Sequence, residues 1–444
     1  MARSGASRGA RPGSPRWLAA AVWLAGCTPP APAPHALPFD PLPAVGEEAT
    51  APLADDAGDG TERLARWVPP YAPRLAAEVH VTGGVLGPIV LRPGDCPARR
   101  AGDCACDDDL MLVGSTGGVL TAFDVDGNPR WEYACGTAGA GPSAAPAAEP
   151  VFLRCGDGAV VALDPGDGHE RWRVARSARD GLVGAFEWSP WAGMLFAGDD
   201  GLVALHRSGA VAWTWPEPGP FPGRPALSGR VVVFAGLDRI VRGYDAGTGE
   251  ELWRRWVVGG VEGGVLELEN GDVVVATLYG HVHAFGMPDG VPRWETTVGT
   301  LARGSPVEGT DGTILVGLMD GALVGLAPED GAVAWGLGVP APILAAPLVV
   351  ERIDAGGGPD AGAAGERAGV VIADRDGYLA EVSYRARGAG GASAPVPPEE
   401  LWRFNVGLPI EARPTLEGAS LLVGLEDGRV VRIVPGEPQC GDGE

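Results

Sequence analysis

Residues 313–335 read TILVGLMDGALVGLAPEDGAVAW. Two short apolar runs, 314–318 and 322–326, flank Asp320 and Gly321, an Asp-Gly pair whose glycine accepts the positive φ of a tight hairpin. A second turn at Pro328 to Gly331 then leads into a third run that ends on Trp335. The unit is therefore three short strands, and a small or proline residue about 12 positions after the tryptophan opens a fourth: Pro225, Pro306, Pro347 and Pro414.

The same unit repeats along the chain. Tryptophans recur at Trp131, Trp172, Trp213, Trp253, Trp294 and Trp335, in steps of 40 or 41, and Trp402 follows 67 later. The excess is explained by two Gly/Ala/Pro-rich stretches, 354–368 and 385–398, which read as loop insertions. Copies of the hairpin fall at 116–124, 157–164, 200–205, 238–245, 279–285, 376–381 and 427–433, giving eight with the first. Self-similarity at this period marks a repeat architecture. A lone hairpin pair cannot bury both of its faces, whereas four-stranded sheets stacked radially can, leaving only short edges. The expected fold is all-β, an eight-bladed β-propeller of four-stranded antiparallel blades. The last unit ends at Val434 with no tryptophan strand after it, while 73–81 is a strand-like run with no hairpin of its own. This segment is expected to supply the outer strand of blade 8 and close the ring, with Ala76 at the tryptophan position.

The stretches 244–253, YDAGTGEELW, and 162–172, ALDPGDGHERW, resemble the pyrroloquinoline-quinone-like propeller repeat. The resemblance covers about 73–435. It implies that Trp131, Trp172, Trp213, Trp253, Trp294, Trp335 and Trp402 dock between blades and are structural. Quinone-dependent dehydrogenases share this repeat, but as a family they carry a vicinal cysteine pair, and no two cysteines are adjacent here. A non-enzyme with no cofactor is expected.

The N-terminus has arginines up to Arg16, an apolar run 17–25 and then Gly26-Cys27, an export signal too short to span a bilayer permanently. Its end, LAGC at 24–27, resembles the bacterial lipobox, which makes Cys27 the expected lipid attachment site. Thr28 in place of aspartate points to the outer membrane, facing the periplasm or the outside. The expected organisation is a signal peptide over 1–26, a Pro/Ala-rich tether over 27–72 and the propeller over 73–440. Lys and Arg number 34 against 57 Asp and Glu, a net charge of −23 that repels phosphate backbones and excludes a nucleic-acid partner.

Six cysteines remain for an oxidising compartment. Cys135 follows the tryptophan strand of blade 1 and Cys155 ends a strand of blade 2 on the same face, so these two pair. Cys96, Cys104 and Cys106 share one loop of blade 1; one of them is expected to bond Cys440 across the closure, leaving the other two to each other. His281 and His283 lie at i, i+2 on one strand and share a face, but without an evident third ligand they read as packed strand residues, and the metal expectation is none. Asp107, Asp108 and Asp109 read as a solvated acidic loop.

The insertions and the cysteine loop fall on connections between first and second or third and fourth strands, which share one face. Trp188 and Trp191, outside the docking set, lie near the first-to-second connection of blade 3 and make that face the expected partner surface. A lipid-anchored eight-bladed propeller of this repeat resembles the lipoprotein component of the outer-membrane β-barrel assembly machinery. That resemblance implies a monomeric scaffold for envelope proteins, touching the membrane through Cys27 alone. Two other classes stay open: a ligand-binding or sensory propeller using the central channel, and a degenerate quinoprotein dehydrogenase.

Overall fold

The computed structural model describes residues 73–92 without 86 and 88, 109–136 without 125, 142, 149–175, 186–189, 193–198, 201–215, 221–350, 367–385, 398–417 and 420–434. These residues are all-β, with strands in eight antiparallel sheets, seven of four strands and one of three. Blade 5 shows the plan: an inner strand Leu266–Glu267, then Val273–Ala276, His281–Gly286 and an outer strand Val291–Thr297, each paired with the next. The three-stranded sheet is blade 2, whose inner-strand position falls on residues outside the described set.

The buried apolar residues form eight clusters, and each cluster joins two successive blades. The strand Val231–Ala235 shows why the repeat is apolar at consecutive positions. Successive side chains point to opposite sheet faces. Val231, Val233 and Ala235 pack with Val273 and Phe285 of blade 5, while Val232 and Phe234 pack with Leu195 and Trp213 of blade 3. Full burial of each such side chain contributes roughly 1.5–3 kcal/mol, so a blade gains its stability from both neighbours at once.

The ring closes through the N-terminal strand. Arg74–His80 lies antiparallel to Arg429–Val434, from Arg74 opposite Val434 to His80 opposite Arg429, as the outer strand of blade 8. Ile89, Met111, Val113 and Phe123 of blade 1 pack against Leu422 and Val430 of blade 8, and Thr415 Oγ1 donates to the Ile89 carbonyl at 2.8 Å. One position is corrected. In blade 4 the register passes from Gly243 opposite Trp253 to Tyr244 opposite Glu251, so Leu252 is the bulge. In blade 8 it passes from Arg432 opposite Ala77 to Ile433 opposite Leu75. Ala76 is thus the bulge and Ala77 takes the tryptophan position, because a count back from Pro88 cannot see a register set by the far end of the chain.

Blade 7 also departs from the expected boundaries. Its central hairpin pairs Arg367–Ala373 with Tyr378–Arg385, so the ladder takes Arg367, Ala368 and Arg385 from stretches read as insertions.

Candidate functional site

Five tryptophans bridge blades through one geometry. Nε1 of Trp131, Trp172, Trp213, Trp253 and Trp294 donates to the carbonyls of Pro165, Arg207, Ala246, Pro288 and Pro328, at 2.7–2.9 Å. Every acceptor sits in the turn between the third and outer strands of the next blade. Trp335 and Trp402 differ, for two reasons. In blade 7 that turn is the insertion at 386–397, outside the described residues, and Trp335 Nε1 is buried with no partner among those described. In blade 8 no such turn exists, since the outer strand comes from the other end of the chain, and Trp402 Nε1 donates instead to Glu381 Oε2 of its own blade at 2.6 Å.

Cys135 and Cys155 face each other across the junction of blades 1 and 2, with Cα atoms 5.1 Å apart and sulfurs at bonding distance. Beside them the Tyr133 hydroxyl donates to Glu170 Oε2 at 2.5 Å, and burial together with Glu170 pushes the phenol up to about 12. Cys27, Cys96, Cys104, Cys106, Cys440, Trp191, Asp107 and Asp108 lie outside the described residues, and of Trp188 only the backbone, in the first strand of blade 3, is described.

The described exposed aromatics lie on the face opposite the insertions. Trp256 ends the outer strand of blade 4 and is 71% exposed, and Tyr279 in the second-to-third turn of blade 5 is 65% exposed. Val258 and Leu301, in the connections leaving blades 4 and 5, are exposed as well. The four are linked along the rim. A Cβ on Gly259 would sit 2.9 Å from Tyr279 Cβ, and one on Gly280 would sit 2.5 Å from the Thr300 carbonyl oxygen, next to Leu301. The backbone follows the same path, with Leu278 donating to the Gly260 carbonyl and Met319 to that of Leu301. Solvent-exposed apolar side chains gathered in this way mark interaction surfaces. The sequence signal was Trp256 itself, a tryptophan three positions beyond the docking Trp253.

Just inside this rim lie the paired histidines. The rings of His281 and His283 stack at 6.1 Å, His281 Nδ1 is 2.9 Å from Glu295 Oε1, and His283 Nδ1 is 3.8 Å from Glu295 Oε2. Val258 N–H points at His283 Nε2 at 3.4 Å. Burial pushes the His283 imidazolium below the usual histidine range; Glu295 opposes this and His281 adds to it. Glu295 was missed by sequence reasoning, although the repeat encodes it: Ala284 stands opposite Trp294, so the residue before one faces the residue after the other.

The channel is lined by the entrances to the inner strands. A Cβ on Gly223 would lie 2.0 Å from the Gly263 carbonyl oxygen, and one on Gly263 would lie 2.7 Å from Gly304, so the backbones of blades 4, 5 and 6 touch directly there. Arg303 pairs with Glu262 across one of these contacts. Arg413 keeps contact with solvent, yet desolvation by the surrounding chain and then repulsion from Arg224 lower the pKa of its guanidinium.

Fold and repeat together define an eight-bladed propeller of the pyrroloquinoline-quinone-like class. The chain belongs to the family described as outer membrane protein assembly factor BamB, whose model matches residues 82–213, 190–304 and 237–380. Curated relatives include outer membrane protein assembly factor BamB of Yersinia pestis, 29% identical over 131 residues, which are 27% of this chain and 33% of that protein. The protein of the same name in Burkholderia pseudomallei (strain K96243) is 31% identical over 111 residues, 25% of this chain and 28% of that one. The chain thus matches about a third of the length of these relatives. Among solved structures, BamB from Moraxella catarrhalis superposes with a TM-score of 0.60 at 16% identity, covering 82% of this chain and 98% of that one. The C-terminal WD40 domain of Sif2 reaches 0.60 at 12% identity, covering 82% and 99%, and the computationally designed Ika8 protein reaches 0.58 at 13%, covering 80% and 97%. An assembly factor, a WD40 domain and a designed protein fit about equally well, so these likenesses speak for the fold alone.

Proposed function

We propose that this chain is a non-catalytic, lipid-anchored scaffold of the outer membrane that docks a protein of the β-barrel assembly machinery through the rim of blades 4 to 6. The observation that carries this reading is the exposed pair Trp256 and Tyr279 on one rim, with Val258 and Leu301 beside them. Membership in the BamB family supports the choice of partner. The export signal and Cys27 in a lipobox-like context support the location and anchor. The docking tryptophans and the bond between Cys135 and Cys155 serve the ring rather than any reaction. The test is a crosslinked pull-down from the native envelope, with wild type and a Trp256→Ser/Tyr279→Ser double variant. Wild type should recover β-barrel assembly proteins and the double variant should lose them at unchanged melting temperature. Equal recovery by both would move the interface to the face bearing the insertions.

A further inference from the structure

The sequence offers His281 and His283 no evident third ligand, and the fold supplies one. His281 and His283 project from the same face of the third strand of blade 5, and Glu295 stands directly opposite His283 on the outer strand. One donor atom from each of the three lies within 4.8 Å of the others. We infer that His281, His283 and Glu295 form a binding site for a divalent transition-metal ion of the zinc type.

Two imidazoles and one carboxylate suit zinc, nickel or copper, whereas calcium and magnesium demand a shell of oxygens that this site does not offer. The spacing fits as well. Tetrahedral coordination with bonds of about 2.1 Å puts donor atoms roughly 3.3 Å apart. His281 Nδ1 is 2.9 Å from Glu295 Oε1 and His283 Nδ1 is 3.8 Å from Glu295 Oε2, so each imidazole has a carboxylate oxygen near that separation. The site is anchored on one side and open on the other: the His283 side chain is 7% exposed and its ring lies nearly parallel to Phe285, while those of His281 and Glu295 are 23% and 49% exposed. An ion would therefore hold three protein ligands and keep an open position toward water.

Thr297 Oγ1, 3.4 Å from His281 Nδ1, belongs to the surrounding polar shell. The cost of binding falls on one contact. Coordination through His283 Nδ1 moves the ring proton to Nε2, where it displaces the Val258 N–H. That contact is 3.4 Å long, at the weak end of hydrogen bonding, so little is lost. The competing arrangement is a histidine pair held by Glu295 through hydrogen bonds alone, and the experiment separates the two.

The test uses the full chain purified from the envelope with its disulfides oxidised, titrated calorimetrically with Zn2+ and spectroscopically with Co2+. Wild type should bind one equivalent tightly and give the intense visible bands of low-coordinate cobalt. Glu295→Gln and His281→Gln should each weaken Zn2+ by at least the roughly 10- to 100-fold that loss of an outer-shell partner costs, and should abolish the cobalt bands. His206→Gln, on blade 3, should change neither. Both test residues are partly exposed, and melting curves without metal verify that the variants fold. Absence of cobalt bands in wild type, or Zn2+ affinity indifferent to both substitutions, would overturn the assignment and leave a hydrogen-bonded trio. Trp256→Ser should leave the metal titration unchanged, so failure of the docking reading and failure of this one are distinguishable.

Discussion

Gly290 of blade 5 lies flat beneath the indole of Trp253 of blade 4: a Cβ at residue 290 would stand 2.3 Å from Trp253 Cδ2 and 2.5 Å from Cε3. Its φ of +61° is also in the left-handed region. Gly407 has a similar requirement, with φ +83°, but open space around its missing side chain. Gly407→Ala should therefore cost only the backbone strain, about 1–2 kcal/mol. Gly290→Ala should cost that plus roughly 1–3 kcal/mol more for forced repacking under the indole. Urea unfolding of the two variants measures the difference.

Trp294 and Trp335 occupy equivalent places in the repeat, with Trp294 partly buried and Trp335 4% exposed. Trp294 Nε1 donates to the Pro328 carbonyl at 2.9 Å, while Trp335 Nε1 is buried without a partner among the described residues. Replacing Trp294 by phenylalanine removes that hydrogen bond along with part of the indole. Loss of the bond in Trp294→Phe should destabilise by about 0.5–1.5 kcal/mol, read from unfolding curves of the variant and wild type.

Removal of residues 74–80 should do more than shorten the chain. It strips the strand that covers Arg429–Val434 and exposes the buried edge of blade 8. An unpaired strand edge templates association. The truncated protein should melt earlier and self-associate on size-exclusion chromatography, while full-length protein remains monomeric.

Acid should weaken the turns before the core. Arg171 and the Gly166 N–H hold the Asp164 carboxyl below the usual aspartate range. A depressed folded pKa means that this stabilisation is complete above the unfolded value near 3.9 and is lost as pH falls through the lower folded value. Asp164→Asn should therefore lower the melting temperature at pH 7, and the gap to wild type should close as pH falls below about 4. The surface position of the pair keeps the effect small.

How far the sequence carried depended on whether a feature was periodic. The tryptophan spacing and the repeated hairpin pattern, five of whose eight copies carry an Asp-Gly pair, located the blades, and the unpaired ends at 73–81 and 434 implied the closing strand. The Ala76 bulge escaped because its register is set by residues more than 350 positions away. The different bonding of Trp335 and Trp402 depends on what the next blade offers, which no single repeat reveals. The Glu295 contact needs cross-strand register, readable only once Ala284 is set opposite Trp294. Exposure was least legible: Trp256 and Tyr279 are exposed with no repeat position to announce it, while Trp191 and the side chain of Trp188 lie outside the described residues.

The proposed docking of a β-barrel assembly protein on the rim of blades 4 to 6 is open to a direct test. A photoreactive phenylalanine analogue placed at 256 reports that contact in living cells, with the same group at 310, on the opposite face, as comparison. Docking at this rim should give crosslinks from 256 to an outer-membrane β-barrel assembly protein and none from 310. Crosslinks from 310 alone, or from neither position, would contradict it.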